Sequence, residues 1–162
     1  MKQRQKGFTI IEMLIVVSIL AMLTAILVPV LDDSAKSSRD ARRAADLKSV
    51  QAALEAYKRE NGVYPSTNNQ WWGDAPSYGG KDYQGAKAYI PGMVPNFMPS
   101  LPKDPDPQYP SGDKGYLYRS DGKNYKFLAN KTPESFKKGN PFYDPKRKTF
   151  AWQISTPGGY KW

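Results

Sequence analysis

From Phe8 to Leu31 the chain is an unbroken apolar run, and Glu12 is its only charge. Coiled as a helix at about 1.5 Å per residue, the run reaches roughly 36 Å, enough to cross a hydrocarbon core of about 30 Å with some tilt. A chain that carries such a segment must bury it in lipid or against other protein. A carboxylate inside it costs about 2–3 kcal/mol on insertion scales, so Glu12 needs a partner. Three readings compete. In the first, Lys2, Arg4 and Lys6 are the basic region of a secretory signal. The apolar run is too long for that, it contains an acid, and no small-x-small cleavage site follows it. In the second, the run is a plain amino-terminal anchor, which leaves Glu12 unexplained. The third starts from the Gly7-Phe8 junction, which marks the boundary between basic leader and apolar run. A cut there would create an α-amine at Phe8, about one helical turn from Glu12. The carboxylate of one chain could then pair with the ammonium of a neighbour, removing two charges from lipid together.

Gly7, Phe8, Thr9, Glu12 and Pro29 at this spacing resemble the leader and first helix of type IV filament subunits, the type IV pilins and the pseudopilins of type II secretion. The resemblance implies cleavage by a prepilin peptidase between Gly7 and Phe8, and N-methylation of Phe8. It implies a role in assembly for Glu12, and a loosening of the helix at Pro29 when the filament forms. Ala53–Pro65 (ALEAYKRENGVYP) and Ser100–Pro105 (SLPKDP) also resemble protein G-type pseudopilins. The latter motif usually continues there with Trp-Gly, whereas Asp106-Pro107 follows here. The resemblance is strong over 1–65, patchy over 100–130 and absent elsewhere.

The 162 residues include neither cysteine nor histidine. That excludes a disulfide framework and thiol chemistry, and it removes the usual general base and the commonest zinc ligand. Many type IV pilins close a carboxy-terminal loop with a disulfide, which this chain cannot form; protein G-type pseudopilins typically lack that bridge. The formal net charge is +9. The leader's basic residues favour a cytoplasmic amino terminus before cleavage, with the rest of the chain on the far side of the inner membrane. From Lys123 to Trp162, nine lysines and arginines stand against Glu134 and Asp144, interleaved with Phe136, Phe142, Tyr143, Phe150, Trp152 and Tyr160. Charge and rings of this kind suit nucleic acid. The simpler account is solubility or pairing with acidic neighbours, and no nucleic acid is expected as a partner.

Beyond Pro29, Ala44, Leu47, Val50, Leu54 and Tyr57 recur at helical spacing as one apolar stripe. Asp32, Asp33, Lys36, Arg39, Asp40, Arg42, Arg43 and Asp46 are expected on the exposed face. Asn61-Gly62 followed by Pro65 ends the helix. Ser66–Pro99 reads as a long irregular loop with a short helical turn near Gln84–Tyr89. Trp71-Trp72 is expected to fold back over the domain's own core. Gly115–Asn130 holds a hairpin around Asp121-Gly122, and Thr149–Ser155 alternates as a third strand. The expected fold is α+β and pilin-like, a long helix packed on a small antiparallel sheet. Its divisions are a leader (1–7), a transmembrane or filament-core helix (8–31), an amphipathic continuation (32–61) and a globular head (62–162).

No glycine-rich phosphate loop, nucleophile elbow or metal-ligand cluster stands out, so the chain is not expected to be an enzyme. Asp104, Asp106, Asp113 and Asp121 lie close in sequence, with Ser111, Ser120 and Asn124 nearby. The family resemblance implies calcium in a carboxy-terminal loop, which makes these aspartates a candidate site and calcium the one cofactor candidate. Asp-Pro and Asp-Gly are also ordinary turn formers, and the spacing matches no EF-hand. The expected function is structural: a subunit polymerised with its own copies through the first helix, partnered by prepilin peptidase, an inner-membrane assembly platform and lipid. It would sit in the inner membrane before assembly and then in a periplasmic pseudopilus or a surface pilus. A pseudopilin is preferred to a surface pilin. From another class, a monomeric membrane-anchored binding module would keep its leader and form no polymer.

Overall fold

The computed structural model describes residues 7–136 and 139–162. The leader positions Met1–Lys6, and Lys137 and Lys138 of the basic segment, lie outside the described residues. The chain divides into two units, Met1–Ser37 and Ser38–Trp162. One helix, α1 (Ile10–Asn61), has its first part in the former unit and its second in the latter, with Pro29 inside it.

In the first unit the large apolar side chains from Phe8 to Leu31 are exposed. The only polar side chains between Met13 and Leu31 turn back on the helix. Ser18 Oγ donates to the Leu14 carbonyl at 2.7 Å, and Thr24 Oγ1 to the Leu20 carbonyl at 2.8 Å. Both hydroxyls are thereby satisfied without water, as lipid requires.

In the second unit the helical stripe is the floor of the core, with Leu47, Val50 and Leu54 fully buried and Ala44 and Tyr57 partly so. At the helix end Gly62 takes φ +77° and its N–H reaches the Lys58 carbonyl at 2.8 Å. A left-handed residue there is cheap only for glycine. Four antiparallel strands follow in the order β1 (Trp72–Gly73), β2 (Gly115–Ser120), β3 (Tyr125–Asn130) and β4 (Ala151–Ser155). Tyr118 faces Phe127, and Phe127 faces Ile154, so strand register and side-chain alternation place one aromatic layer over the helix. Tyr116, Tyr118, Tyr125, Phe127 and Trp152 join Leu47, Val50 and Leu54 in a single core cluster.

The sheet has one strand more than the three expected. The loop 66–99 returns to the edge of β2, pairing Trp72 with Tyr118 and Gly73 with Leu117. Gly73 permits the approach, because a Cβ there would stand 2.6 Å from the Tyr116 carbonyl. Trp71 packs on Ala75, Leu117 and Leu128, and Trp72 lies under the Lys81 ammonium, 4.1 Å from the ring centre. The expected helical turn is a 3-10 turn at Gly85–Lys87. The last strand starts at Ala151 rather than Thr149, and Phe150 stays partly exposed.

Two residues of the charged helix face are buried, against expectation. Arg43 is fully buried and Asp40 nearly so. The stripe is wider than its apolar members because partners from distant loops close over these charges.

Candidate functional site

The junction 7–12 is built by a reciprocal cap. Thr9 donates its N–H and its Oγ1–H to Glu12 Oε2, each at 2.7 Å, and the Glu12 N–H returns to Thr9 Oγ1 at 3.2 Å. This is the S/T-x-x-E arrangement that satisfies two otherwise unpaired donors at a helix start. Glu12 is therefore held, in the single chain, at the positive end of its own helix. It lies one turn from Phe8, and both are exposed. A Cβ on Gly7 would meet nothing within 4 Å, so the fold itself does not demand glycine there. Farther along, Pro29 brings no N–H to the helical ladder, which removes one backbone bond from the turn before it.

A second constellation joins the helix to the loops. Arg43 Nε and Nη2 donate to the two oxygens of Asp104 at 2.9 and 2.8 Å, and its Nη1 reaches Asp40 at 2.9 Å and Glu134 at 3.1 Å. Arg39 holds both oxygens of Glu134 at 2.6 Å. Asp40 in turn accepts from the Glu134 N–H and from Ser135 Oγ. Hydrogen bonding from Arg39 keeps the Glu134 carboxyl below its usual value. The SLPKDP motif thus supplies, in Asp104, the anion that seats its loop on the helix. Nothing in local spacing signalled this. The one available hint was two arginines on the helix, four positions apart and close to the buried stripe.

The four aspartates singled out in the sequence are not brought together. Asp104 serves Arg43, and one of its oxygens also accepts the Asp106 N–H. Asp106 accepts the Gln108 N–H at 3.0 Å. Asp113 pairs with Lys131. Asp121 closes the β2–β3 turn by accepting from the N–H groups of Lys123 and Asn124 at 2.9 and 2.6 Å. As a set they do not fit a hard cation, which wants six or more oxygens converging on one point. Among the described residues no group of three or more acidic, histidine or cysteine side chains is placed to hold a metal.

One carboxyl stands apart electrostatically. Asp74 is buried beside β1, accepting the Tyr116 N–H at 2.8 Å and the Tyr83 hydroxyl at 3.3 Å. Burial pushes it up to about 7, and the two hydrogen bonds only partly oppose that.

A capped apolar helix behind a Gly-Phe junction defines a class. Residues 2–28 match the prokaryotic N-terminal methylation motif, the processing signature of type IV filament subunits. Type II secretion system core protein G of Vibrio cholerae serotype O1 is 33% identical over 128 residues, which cover 71% of this chain and 77% of that protein. The chain belongs to the family of type II secretion system core protein G, the pseudopilins. The same protein of Pseudomonas aeruginosa is 39% identical over 66 residues, 41% of this chain and 46% of the relative. That of Pectobacterium carotovorum subsp. carotovorum is 38% identical over 64 residues, 40% of this chain and 41% of the relative. The chain thus spans less than half the length of these last two relatives. No solved structure is significantly similar to it.

Proposed function

We propose that this chain is a structural subunit of a type II secretion pseudopilus, polymerised through its amino-terminal helix, and not an enzyme. The observation that carries this is the apolar surface of Phe8–Leu31, exposed along its whole length, interrupted by one carboxylate and preceded by Gly7 within the matched methylation motif. Such a surface is at home in lipid, and equally among copies of itself.

The chain inserts with Met1–Lys6 on the cytoplasmic side, where prepilin peptidase cuts between Gly7 and Phe8, and Phe8 is then N-methylated. Within the membrane Glu12 neutralises the Phe8 ammonium of a neighbouring copy. Thr9 makes this step inexpensive, because Glu12 Oε1 takes no part in the cap. One oxygen serves its own helix while the other faces the neighbour. An assembly platform in the inner membrane then draws subunits into a periplasmic filament. Helix–lipid contacts are exchanged for helix–helix contacts, and the missing backbone bond at Pro29 lets that turn open at low cost.

The test is the mass and amino terminus of the protein recovered from cell envelopes and from sheared extracellular material. A chain that starts at methylated Phe8 and stays with the envelope is the expected result. Processed chain in the sheared fraction would indicate a surface pilin. An intact leader would leave a plain anchored module.

A further inference from the structure

The segment after β4, Thr156–Trp162, forms only turns, with Gly159 N–H on the Thr156 carbonyl and Trp162 N–H on the Gly159 carbonyl. A buried cation seats it. Lys126 stands on the face of β3 opposite the aromatic core, since its neighbours Tyr125 and Phe127 face the helix. Its side chain is fully buried, as is that of Asp144. Lys126 Nζ lies 3.0 Å from Asp144 Oδ2, 3.1 Å from the Tyr160 carbonyl and 3.0 Å from the main-chain oxygen of Trp162. An ammonium has three N–H donors, and three oxygens meet them. The other Asp144 oxygen accepts the N–H groups of Lys146 and Arg147. Arg147 Nη1 also reaches Asp144 Oδ2 at 3.3 Å and Trp162 O at 2.9 Å. The Trp162 ring lies 4.9 Å from the Arg119 guanidinium, which in turn stands over Trp71.

We propose that the buried Lys126 ammonium is the group that seats the carboxy-terminal segment, so that the segment is held without a metal. One carboxylate oxygen and two main-chain oxygens are fewer than the six or more that a hard divalent cation takes, but they match the three donors of an ammonium. Here the centre is already filled by a group of the chain itself. Lys126 and Arg147 both converge on Asp144 Oδ2, so that oxygen already has its cationic partners. In a chain with no cysteine, this buried cluster does the stapling that a disulfide or a metal performs elsewhere. The inference does not depend on the filament reading.

The test is hydrogen exchange over residues 156–162 of the full chain in detergent micelles, in excess chelator and in millimolar calcium. Exchange should be the same in both. Lys126→Met should speed it by roughly tenfold or more, the loss expected when charge-assisted hydrogen bonds go. Because Lys126→Met takes the nearer cation from the buried Asp144 and leaves it only the longer ion pair to Arg147, the double variant Lys126→Met/Asp144→Asn is measured beside it. The double variant should recover the melting temperature but not the protection of 156–162. Faster exchange of the unmodified chain in chelator would overturn the proposal, and so would full protection of the segment in the double variant.

Discussion

Arg43 and Asp104, 61 positions apart in the chain, meet through two parallel hydrogen bonds of 2.9 and 2.8 Å, with both side chains shut off from solvent. The pair joins the helix to the loop that leads into the sheet. A buried pair of this kind is costly to break, because removing one partner strands the other charge in a medium that cannot solvate it. Arg43→Met should therefore destabilise the domain by about 3–5 kcal/mol, read as a lower urea midpoint for the full chain in micelles. Arg43→Lys keeps the charge but not the fork that grips both oxygens, and it should fall between the two. Asp40 and Glu134 share the guanidinium, so their variants should not add to that of Arg43.

Glu12 caps its own helix through Thr9, and different substitutions separate that contact from the proposed pairing with a neighbour. Glu12→Gln retains an oxygen for the Thr9 cap but has no charge to offer a neighbouring ammonium. Thr9→Ala removes the hydroxyl from the cap and leaves the charge. Membrane insertion should survive both. Polymer recovered by cross-linking should fall to near background for Glu12→Gln and only modestly for Thr9→Ala. Normal polymer from Glu12→Gln would refute the pairing with Phe8.

Gly7 is exposed and open around its Cβ position, so Gly7→Val should leave folding and insertion unchanged. The consequence should lie in processing alone, with the leader retained in the mass of the membrane-bound protein. A shortened chain from this variant would show that the cut does not depend on glycine.

Asp74 gives the domain a signed dependence on pH. Its folded pKa, about 7, lies above the ordinary carboxyl value of 3.8. The neutral form is therefore the one the fold prefers, and that contribution is fully present below 3.8. It fades as pH rises toward 7. Glu134 acts in the opposite sense, since its lowered value makes a contribution that is lost in acid. Asp74→Asn keeps an acceptor for the Tyr116 N–H and has nothing to ionise. Stability of the variant, followed from pH 4 to 8, should decline less toward neutrality than that of the unmodified chain, the remainder coming from Asp46, which burial also raises. Parallel curves for the two proteins would mean that Asp74 titrates normally.

Features of this molecule that depend on residues close in the chain were legible in its sequence. The apolar run, the helix stop at Asn61-Gly62 and the hairpin at Asp121-Gly122 follow from periodicity, turn chemistry and the absence of charge. Tertiary structure alone decided where the charges went. Arg43 and Asp40 sit at helix positions that local pattern assigns to water, yet Asp104 and Glu134 arrive from far along the chain and make their burial tolerable. Lys126 likewise belongs by composition to a basic, solvated tail. It is buried because Asp144 and two main-chain oxygens of the terminal turns close around it. Asp104, Asp106, Asp113 and Asp121 are neighbours in sequence that the fold sends to separate partners. The physical reason is common to all of these. Apolar burial is approximately additive and follows residue type, whereas the fate of a charge depends on whether its counter-charge is delivered at hydrogen-bonding distance.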